Sequence, residues 1–242
     1  IFGSMEKKHL VTVGSSDKMY YGSFQIYLNS CDSPYIFVNG EGSEYDVLTL
    51  MHEFGHFTSA YYNHGSTGSN DEAEVASSAL ELLTLKYADG VFDSETAASI
   101  GKSGILSIIS SLVECAAYSE FENLVYSDKA LTAEKCNGYF RQVAEEYGIS
   151  GGDGGYLYWV MVNHLFEYPY YVAGYSVSAD VALQIYESCD GSIEPYLDFI
   201  KLARSGSFSE NIKTAGLESP FSEGRAEKAA AVIQKLTEKY FS

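Results

Sequence analysis

Two histidines four residues apart set the strongest constraint on this chain. His52 and His56 lie in the run LTLMHEFGHFTSAYYN, residues 48–63, with Glu53 between them. Side chains four apart project from one face of an α-helix, so a helix here brings both imidazoles to a single point. Glu53 lies one position further round, close enough to hydrogen-bond a water there without binding a metal itself. This H-E-x-x-H spacing is the physical basis of the zinc peptidase motif.

A catalytic zinc needs a third protein ligand, because two histidines do not complete its coordination. Glu74 is the best candidate, since it interrupts an apolar face of the next predicted helix, and an inward carboxylate needs a partner. His64 lies twelve residues after His52, but Ser59 and Tyr62 occupy the glycine and third-histidine positions of the H-E-x-x-H-x-x-G-x-x-H pattern. His64 is therefore expected in a loop.

An alternative interpretation treats His52 and His56 as core histidines hydrogen-bonded to carbonyl groups. It leaves Glu53 and Glu74 buried with no positive group to face, which is costly, so we favour a zinc site. Glu81 follows Glu74 by seven residues on the same helix face. It is suited to a hydrogen bond with one of the ligand histidines.

Charge and composition exclude several other classes of function. The chain has 15 Lys and Arg against 33 Asp and Glu, a formal charge of -18, which disfavours nucleic-acid and membrane-surface binding. The four scattered cysteines form no C-x-x-C pair, which indicates free thiols in a reducing compartment. No basic and apolar leader is present, and no apolar run reaches about 18 residues. We therefore expect a cytoplasmic protein.

Short β-branched and aromatic runs predict strands in the first 40 residues, in KHLVTVGSS, YYGSFQIYLNS and SPYIFVNGEGS. Helical periodicity then dominates, beginning with two helices that carry the histidines and Glu74. Ser43 with Asp46, and Ser69 with Glu72, are predicted to form capping boxes at the starts of these helices. Further helices are predicted over about 94–127, 132–147, 155–167, 169–188, 192–204 and 222–240.

Beyond the motif, the sequence resembles the C-terminal catalytic half of oligoendopeptidase F, in the thimet-oligopeptidase family of zinc peptidases. The resemblance rests on SEYDVLTLMHEFGHFTSAYY with AEVASSALELL, on YSEFENLVYSDKALTAEKCNGYFRQVAEEYG, and on NHLFEYPYYVAGYSVSADVALQIY. It implies a mainly α fold with a small β-sheet, a zincin-like catalytic domain of the thermolysin and neurolysin type. It also implies one zinc per chain at His52, His56 and Glu74, with Glu53 as general base. Glu81 is implied to hydrogen-bond a ligand histidine without binding the metal itself.

The same resemblance assigns an active-site role to a later segment. His164 matches the family's histidine, and Tyr171 and Tyr175 match the tyrosines that hydrogen-bond the oxyanion, with Tyr168 as a competing candidate. Pro169 suits a first helical turn, which predicts that Tyr171 and Tyr175 share one helix face. The chain has 21 tyrosines, so ordinary packing is the alternative role for each.

The resemblance implies zinc-dependent hydrolysis of peptide bonds in short peptides by one catalytic domain, residues 1–242. The family's N-terminal helical lobe is expected to be absent from these residues, and either that lobe or a second chain is expected as a partner. The strand in SPYIFVNG is expected to pair with an extended peptide as an added strand. The alternative function is a non-catalytic remnant that binds peptide or a partner without turnover.

Overall fold

The computed structural model describes residues 1–66, 68–151 and 155–242. Its helices are α1 (Phe2–Lys7), α2 (Tyr45–Tyr62), α3 (Asn70–Tyr87), α4 (Ser94–Ser127), α5 (Ala133–Glu146), α6 (His164–Glu167), α7 (Tyr171–Ser188), α8 (Glu194–Ile200), α9 (Phe208–Thr214) and α10 (Arg225–Tyr240). Its strands are β1 (Val11–Gly14), β2 (Phe24–Leu28) and β3 (Ser33–Asn39), and short 3₁₀ helices cover Ala88–Gly90 and Gly155–Met161. The predicted fold class, mainly α with a small sheet, is confirmed.

The chain divides into two compact units. The first contains Ile1–Leu106 and Ser178–Ser242, and the second contains Ser107–Val177. Helices α4 and α7 contribute residues to both units. The single catalytic domain over residues 1–242 stays a prediction.

A three-stranded sheet lies in the first unit, in the order β1-β3-β2. Strand β1 runs parallel to β3 with Val11 opposite Ile36, and β2 runs antiparallel with Ile26 opposite Tyr35. Alternate residues of a strand face the same side, and on the covered side Ile36 and Val38 are fully buried. They share a core with Phe57 of α2 and with the apolar residues Met5 and Leu10.

The central position of β3 corrects one sequence prediction. The strand within SPYIFVNG was expected to accept an extended peptide, but β3 is already paired on both sides, by β1 and by β2. A peptide has no free edge of β3 to pair with. The edges of this sheet belong to β1 and β2.

The start of α2 also differs from its prediction. Glu44 is the N-cap and makes no side-chain cap hydrogen bond, so the predicted Ser43–Asp46 capping box is wrong. The Asp46 carboxylate instead accepts hydrogen bonds from the backbone N–H groups of Glu41, Gly42 and Ser43. Gly42 has a φ of 82°, and this left-handed turn, accessible to glycine, allows the carboxylate to gather three donors.

The remaining helix predictions succeed for long helices and fail for short ones. The helix over 94–127 is confirmed as α4, and the capping box of Ser69 with Glu72 is confirmed at α3. The predicted helix over 155–167 is wrong, because that segment forms a 3₁₀ helix followed by the four residues of α6. Helices α1 and α9 were not predicted, and both are only one or two turns long.

The second unit has its own aromatic core. Tyr118, Phe121 and Phe140 are buried together with Leu165 and Val172. Phe140 stacks on Tyr118 with ring centroids 5.6 Å apart, and Phe121 meets Phe140 edge-on at 5.4 Å. Offset stacking and edge-on contact are the favoured geometries of aromatic pairs.

Among the residues that the structure describes, α4 is the one helix long and apolar enough to span a bilayer by length and composition. Core helices of globular proteins meet the same criterion, and about a third of its most apolar window is buried. The expectation that the chain does not bind membranes is not tested by this helix.

Candidate metal centre

Helices α2 and α3 approach each other closely at Gly55. A Cβ atom at this position would lie 2.5 Å from the carbonyl oxygen of Ala76 and 2.5 Å from the Cα of Ser77, both in α3. A side chain larger than hydrogen would therefore force the helices apart. Gly55 lies next to His56 in the sequence, so the close approach occurs beside the histidine that faces α3.

The three predicted ligands converge across this helix pair. His52 Nε2 lies 3.6 Å from Glu74 Oε2, and His56 Nε2 lies 3.9 Å from the same oxygen. One ligand atom from each of the three residues lies within 4.8 Å of the others. Glu74 is buried, as predicted for an inward carboxylate. The structure brings together the ligand set that the sequence predicted.

Each imidazole is oriented by a second partner. His52 Nδ1 lies 3.3 Å from Glu81 Oε2, so its other ring nitrogen points towards Glu74. His56 hydrogen-bonds the backbone of Ala73, in the first turn of α3. A partner on one ring nitrogen fixes the orientation and tautomer of a ligand histidine. The contact between Glu81 and His52 agrees with the predicted hydrogen bond between Glu81 and a ligand histidine.

Burial and charge shift the pKa values in this cluster in different directions. Burial and then the nearby charge of His52 lower the pKa of His56, against the hydrogen bond to Ala73, to about 3. Burial opposes the charged form of His52 too, but its hydrogen bond to Glu81 and the charges of Glu74 and Glu81 raise its pKa to about 9. His56 is thus neutral, the form in which an imidazole binds a metal.

The donor set fits a zinc ion. Zinc binds histidine nitrogen and carboxylate oxygen at about 2.0–2.2 Å, which places tetrahedral ligand atoms roughly 3.4 Å apart. The separations of 3.6 and 3.9 Å between Glu74 and the two histidines lie close to this value. Two imidazoles and one carboxylate leave a fourth position for water, as in catalytic zinc sites.

Glu53 lies beside the ligands and is buried. Burial raises the pKa of its carboxyl group to about 7, with the charge of His52 lowering it and that of Glu74 raising it. Glu53 also lines a cavity of about 680 Å³, together with Asp17 of the β1–β2 connection, Asn39 at the end of β3 and residues of the β3–α2 connection. A carboxylate at the wall of such a cavity can exchange a proton with a bound molecule.

His64 lies outside the ligand cluster. It is exposed in the turn after α2 and has a φ of 50°. Within the described part of the chain, the group that could hold a metal consists of His52, His56 and Glu74. The expectation that His64 belongs to a loop is therefore confirmed.

The histidine and tyrosines of the later segment form a cluster of their own within the second unit. The rings of His164 and Tyr171 stack 5.0 Å apart with an interplanar angle of 8°. Tyr175 meets both rings edge-on, at 6.0 Å from His164 and 5.4 Å from Tyr171. Tyr168 lies 6.0 Å from Tyr171. The catalytic roles assigned to these side chains stay predictions.

The same segment contains a backbone feature that the sequence did not indicate. Tyr170 has a φ of 62°, in the left-handed region that non-glycine residues rarely adopt. Its backbone N–H donates to the buried carboxylate of Glu122, 2.8 Å away. Helix α7 consequently begins at Tyr171 and not at Pro169, although Tyr171 and Tyr175 still share a face.

Two features of the metal centre were missed from the sequence. Gly55 lies inside the quoted motif, and a glycine in a helix interior is a signal of close packing. The buried contact between Glu72 and Asn211 joins residues 139 positions apart, and no local pattern indicates it.

Comparisons with known proteins identify the family of this chain and several relatives. The profile of the family described as Peptidase family M3 matches residues 14–230. Oligopeptidase PepF of Bacillus subtilis (strain 168) is 27% identical over 207 residues, which cover 77% of this chain and 30% of that protein. Chromosomal oligoendopeptidase F of Lactococcus lactis subsp. cremoris is 25% identical over 235 residues, covering 85% of this chain and 38% of that protein.

A solved structure supports the fold. PZ peptidase A, crystallised with an inhibitor, superposes with a TM-score of 0.85 at 20% identity, covering 98% of this chain and 45% of that one. The chain thus spans less than half the length of the relatives it matches. The resemblance to oligoendopeptidase F predicted from the sequence is confirmed.

Proposed function

This chain belongs to peptidase family M3, and from that premise we propose that it hydrolyses peptide bonds with a zinc ion held by His52, His56 and Glu74. The observation that carries the proposal is the convergence of these three side chains beside the buried carboxylate of Glu53. Such a set is suited to metal-assisted hydrolysis.

Glu53 is the proposed general base. When bound, zinc would polarise the scissile carbonyl and lower the pKa of water. Glu53 would take a proton from the attacking water and pass it to the leaving amine. A general base works best with a pKa near the working pH, and burial raises the pKa of Glu53 to about 7.

Short peptides are the proposed substrates. Relatives carry the names oligopeptidase and oligoendopeptidase, and the strongly acidic composition disfavours nucleic acids and anionic lipid surfaces as ligands. The cavity beside Glu53 is large enough for a few residues of a peptide. We further propose a cytoplasmic location.

Zinc content and peptide cleavage test this proposal together. The purified chain is expected to hold one zinc, and to cleave a short peptide that carries a fluorophore and a quencher. Removal of zinc with a chelator should abolish cleavage, and added zinc should restore it. A chain that holds one zinc but cleaves none of a varied set of short peptides would instead be a non-catalytic binding protein. A chain without zinc would contradict the metal assignment.

A further inference from the structure

The proposed metal ligands lie on α2 and α3, which are joined by a short connection. It runs from Asn63, seven residues after His56, to Ser69, five residues before Glu74. A displacement of its ends moves one set of ligands relative to the other. Metal–ligand distances in proteins stay within about 0.2 Å of preferred values, so the groups that hold the two ends of this connection can affect the site.

The end of α2 is held by residues far along the chain. The buried Asn63 side chain donates to the carbonyl of Ile200 at 2.7 Å, and to Ser59 within its own helix at 2.9 Å. The carbonyl of Asn63 accepts from Arg204 Nη1 at 3.3 Å. These contacts fasten the last turn of α2 to residues 200–211, which we call the clamp segment.

The start of α3 is held by the same segment. Glu72 Oε2 accepts from the backbone N–H of Ser69 at 2.7 Å, which completes the capping box. Its other oxygen, Oε1, accepts from the side-chain amide of Asn211, which also donates to the carbonyl of Leu202 at 2.9 Å. Glu72 and Asn211 are both buried, with 4% and 2% of their surface exposed.

Glycine at position 68 is required by this arrangement. Gly68 has a φ of 73°, and a Cβ there would collide with Glu72 Oε2 and would lie 2.8 Å from the carbonyl oxygen of Ala203. Gly68 is therefore packed directly against the clamp segment. The first turn of α3 begins at this contact, and Glu74 follows that turn directly.

We propose that Asn211 is a positioning residue of the metal centre. Asn211 acts through Glu72 to hold the first turn of α3 in the position that brings Glu74 to the two histidines. This inference rests on the proposed zinc site. Without Asn211, one oxygen of Glu72 loses its donor in a buried setting, and buried carboxylates without donors are costly. Glu72 would then turn towards solvent, and the first turn of α3 would move with it.

The test compares Asn211→Ala with a matched variant, Gln184→Ala. Gln184 is also a buried amide of the first unit, with hydrogen bonds to Asp180 and to the backbone of Glu218. Both variants lose a buried amide, but only one loses the contact with Glu72. Competition with a chelator should show zinc binding about tenfold weaker in Asn211→Ala, the lower end of the range for groups that hydrogen-bond a metal ligand directly. Gln184→Ala should stay within about threefold of the unmodified chain.

Glu72→Ala covers the case in which Asn211→Ala fails to fold. It removes the same contact from the α3 side and leaves the Asn211 amide donating to the carbonyl groups of Leu202 and Gly206, and it should weaken zinc binding by a similar factor. If Asn211→Ala binds zinc no more weakly than Gln184→Ala, or if Asn211→Ala does not fold and Glu72→Ala binds zinc as tightly as the unmodified chain, the proposal is overturned.

Hydrogen exchange separates this proposal from the proposed function. In metal-free protein, the backbone amides of residues 70–76 should exchange faster in Asn211→Ala than in Gln184→Ala. This result would support the clamp even in a chain that bound no zinc, which would contradict only the metal assignment. Equal exchange in both variants would overturn the positioning role.

Discussion

The two groups of predicted site residues are supported in different ways. His52, His56 and Glu74 lie on α2 and α3, each 18 residues long, and every ligand has a partner that orients it or faces it. His164 begins a helix of four residues, and Tyr171 begins the next helix after a left-handed residue. In a long helix, the spacing of residues in the sequence determines how their side chains are arranged. In a short segment, contacts with distant residues determine that arrangement.

The distant contacts of the second group can be named. Glu122, 48 residues before Tyr170, accepts the Tyr170 N–H, and the rings of Tyr126 and Tyr170 lie 5.3 Å apart. Burial raises the pKa of Glu122, against the hydrogen bonds from Tyr170 and Tyr126. The comparison therefore predicts a metal centre set mainly by two helices, and a histidine–tyrosine cluster set by packing within its own unit.

The largest expected effect belongs to the first region. Glu53→Gln removes the proposed base and keeps its shape, so it should lower kcat by about 10²- to 10⁴-fold. Zinc content should stay at one per chain, because Glu53 is not a ligand. Steady-state kinetics on a quenched peptide with metal analysis measure both. Near-normal turnover in the zinc-loaded variant would remove Glu53 as base.

The second region is tested by Tyr175→Phe. A phenol that donates to the scissile carbonyl oxygen bonds more strongly as that oxygen gains negative charge, which stabilises the transition state more than the substrate. The variant should lower kcat by up to about 10²- to 10³-fold with KM little changed.

Tyr171→Phe is the matched comparison, since the two rings share a helix face and lie 5.4 Å apart. If both variants keep normal kcat, the role belongs to Tyr168 or His164, or the cluster serves packing alone. A lowered kcat in either variant, or a normal kcat in both, would each show how the histidine–tyrosine cluster differs from the metal centre in its contribution to catalysis.

Glu81→Gln tests how far the metal centre depends on its supporting contacts. The variant weakens the hydrogen bond to His52 Nδ1, 3.3 Å away, and should lower zinc affinity by about 10- to 100-fold. Glu227→Gln is the control, because it makes the same change of charge at an exposed position. Equal zinc affinity in the two variants would reduce Glu81 to a packing role.

The smallest expected effect concerns the close approach of α2 and α3. Gly55→Ala should destabilise the first unit by about 1–3 kcal/mol, the usual cost of overpacking, measured by urea unfolding. Gly138→Ala is the control in the second unit, because nothing lies within 4 Å of a Cβ there. It should stabilise its helix by up to about 1 kcal/mol through helix propensity. Destabilisation of similar size in both would refute a special role for Gly55.

The sequence predicted the parts of the molecule in which local spacing determines contact. His52 and His56 needed only a helix, and Glu74 was recognised because it interrupts an apolar face. The helix over 155–167 was wrong because aromatic residues at helical intervals also occur where a chain packs irregularly against a core. Tyr170, in the segment that follows, shows how a distant contact acts on the backbone, since its N–H donates to Glu122 in another helix. Asn211 could not be predicted for the same reason, as its partner lies 139 residues away.

The central claim is that α2 and α3 hold one zinc through His52, His56 and Glu74. Metal analysis of four purified proteins tests it most directly: the unmodified chain, His56→Ala, Glu74→Ala and His64→Ala. We predict one zinc per chain in the unmodified protein and in His64→Ala, and no tightly bound zinc in the other two. Zinc retained in Glu74→Ala and lost from His64→Ala would contradict the ligand assignment.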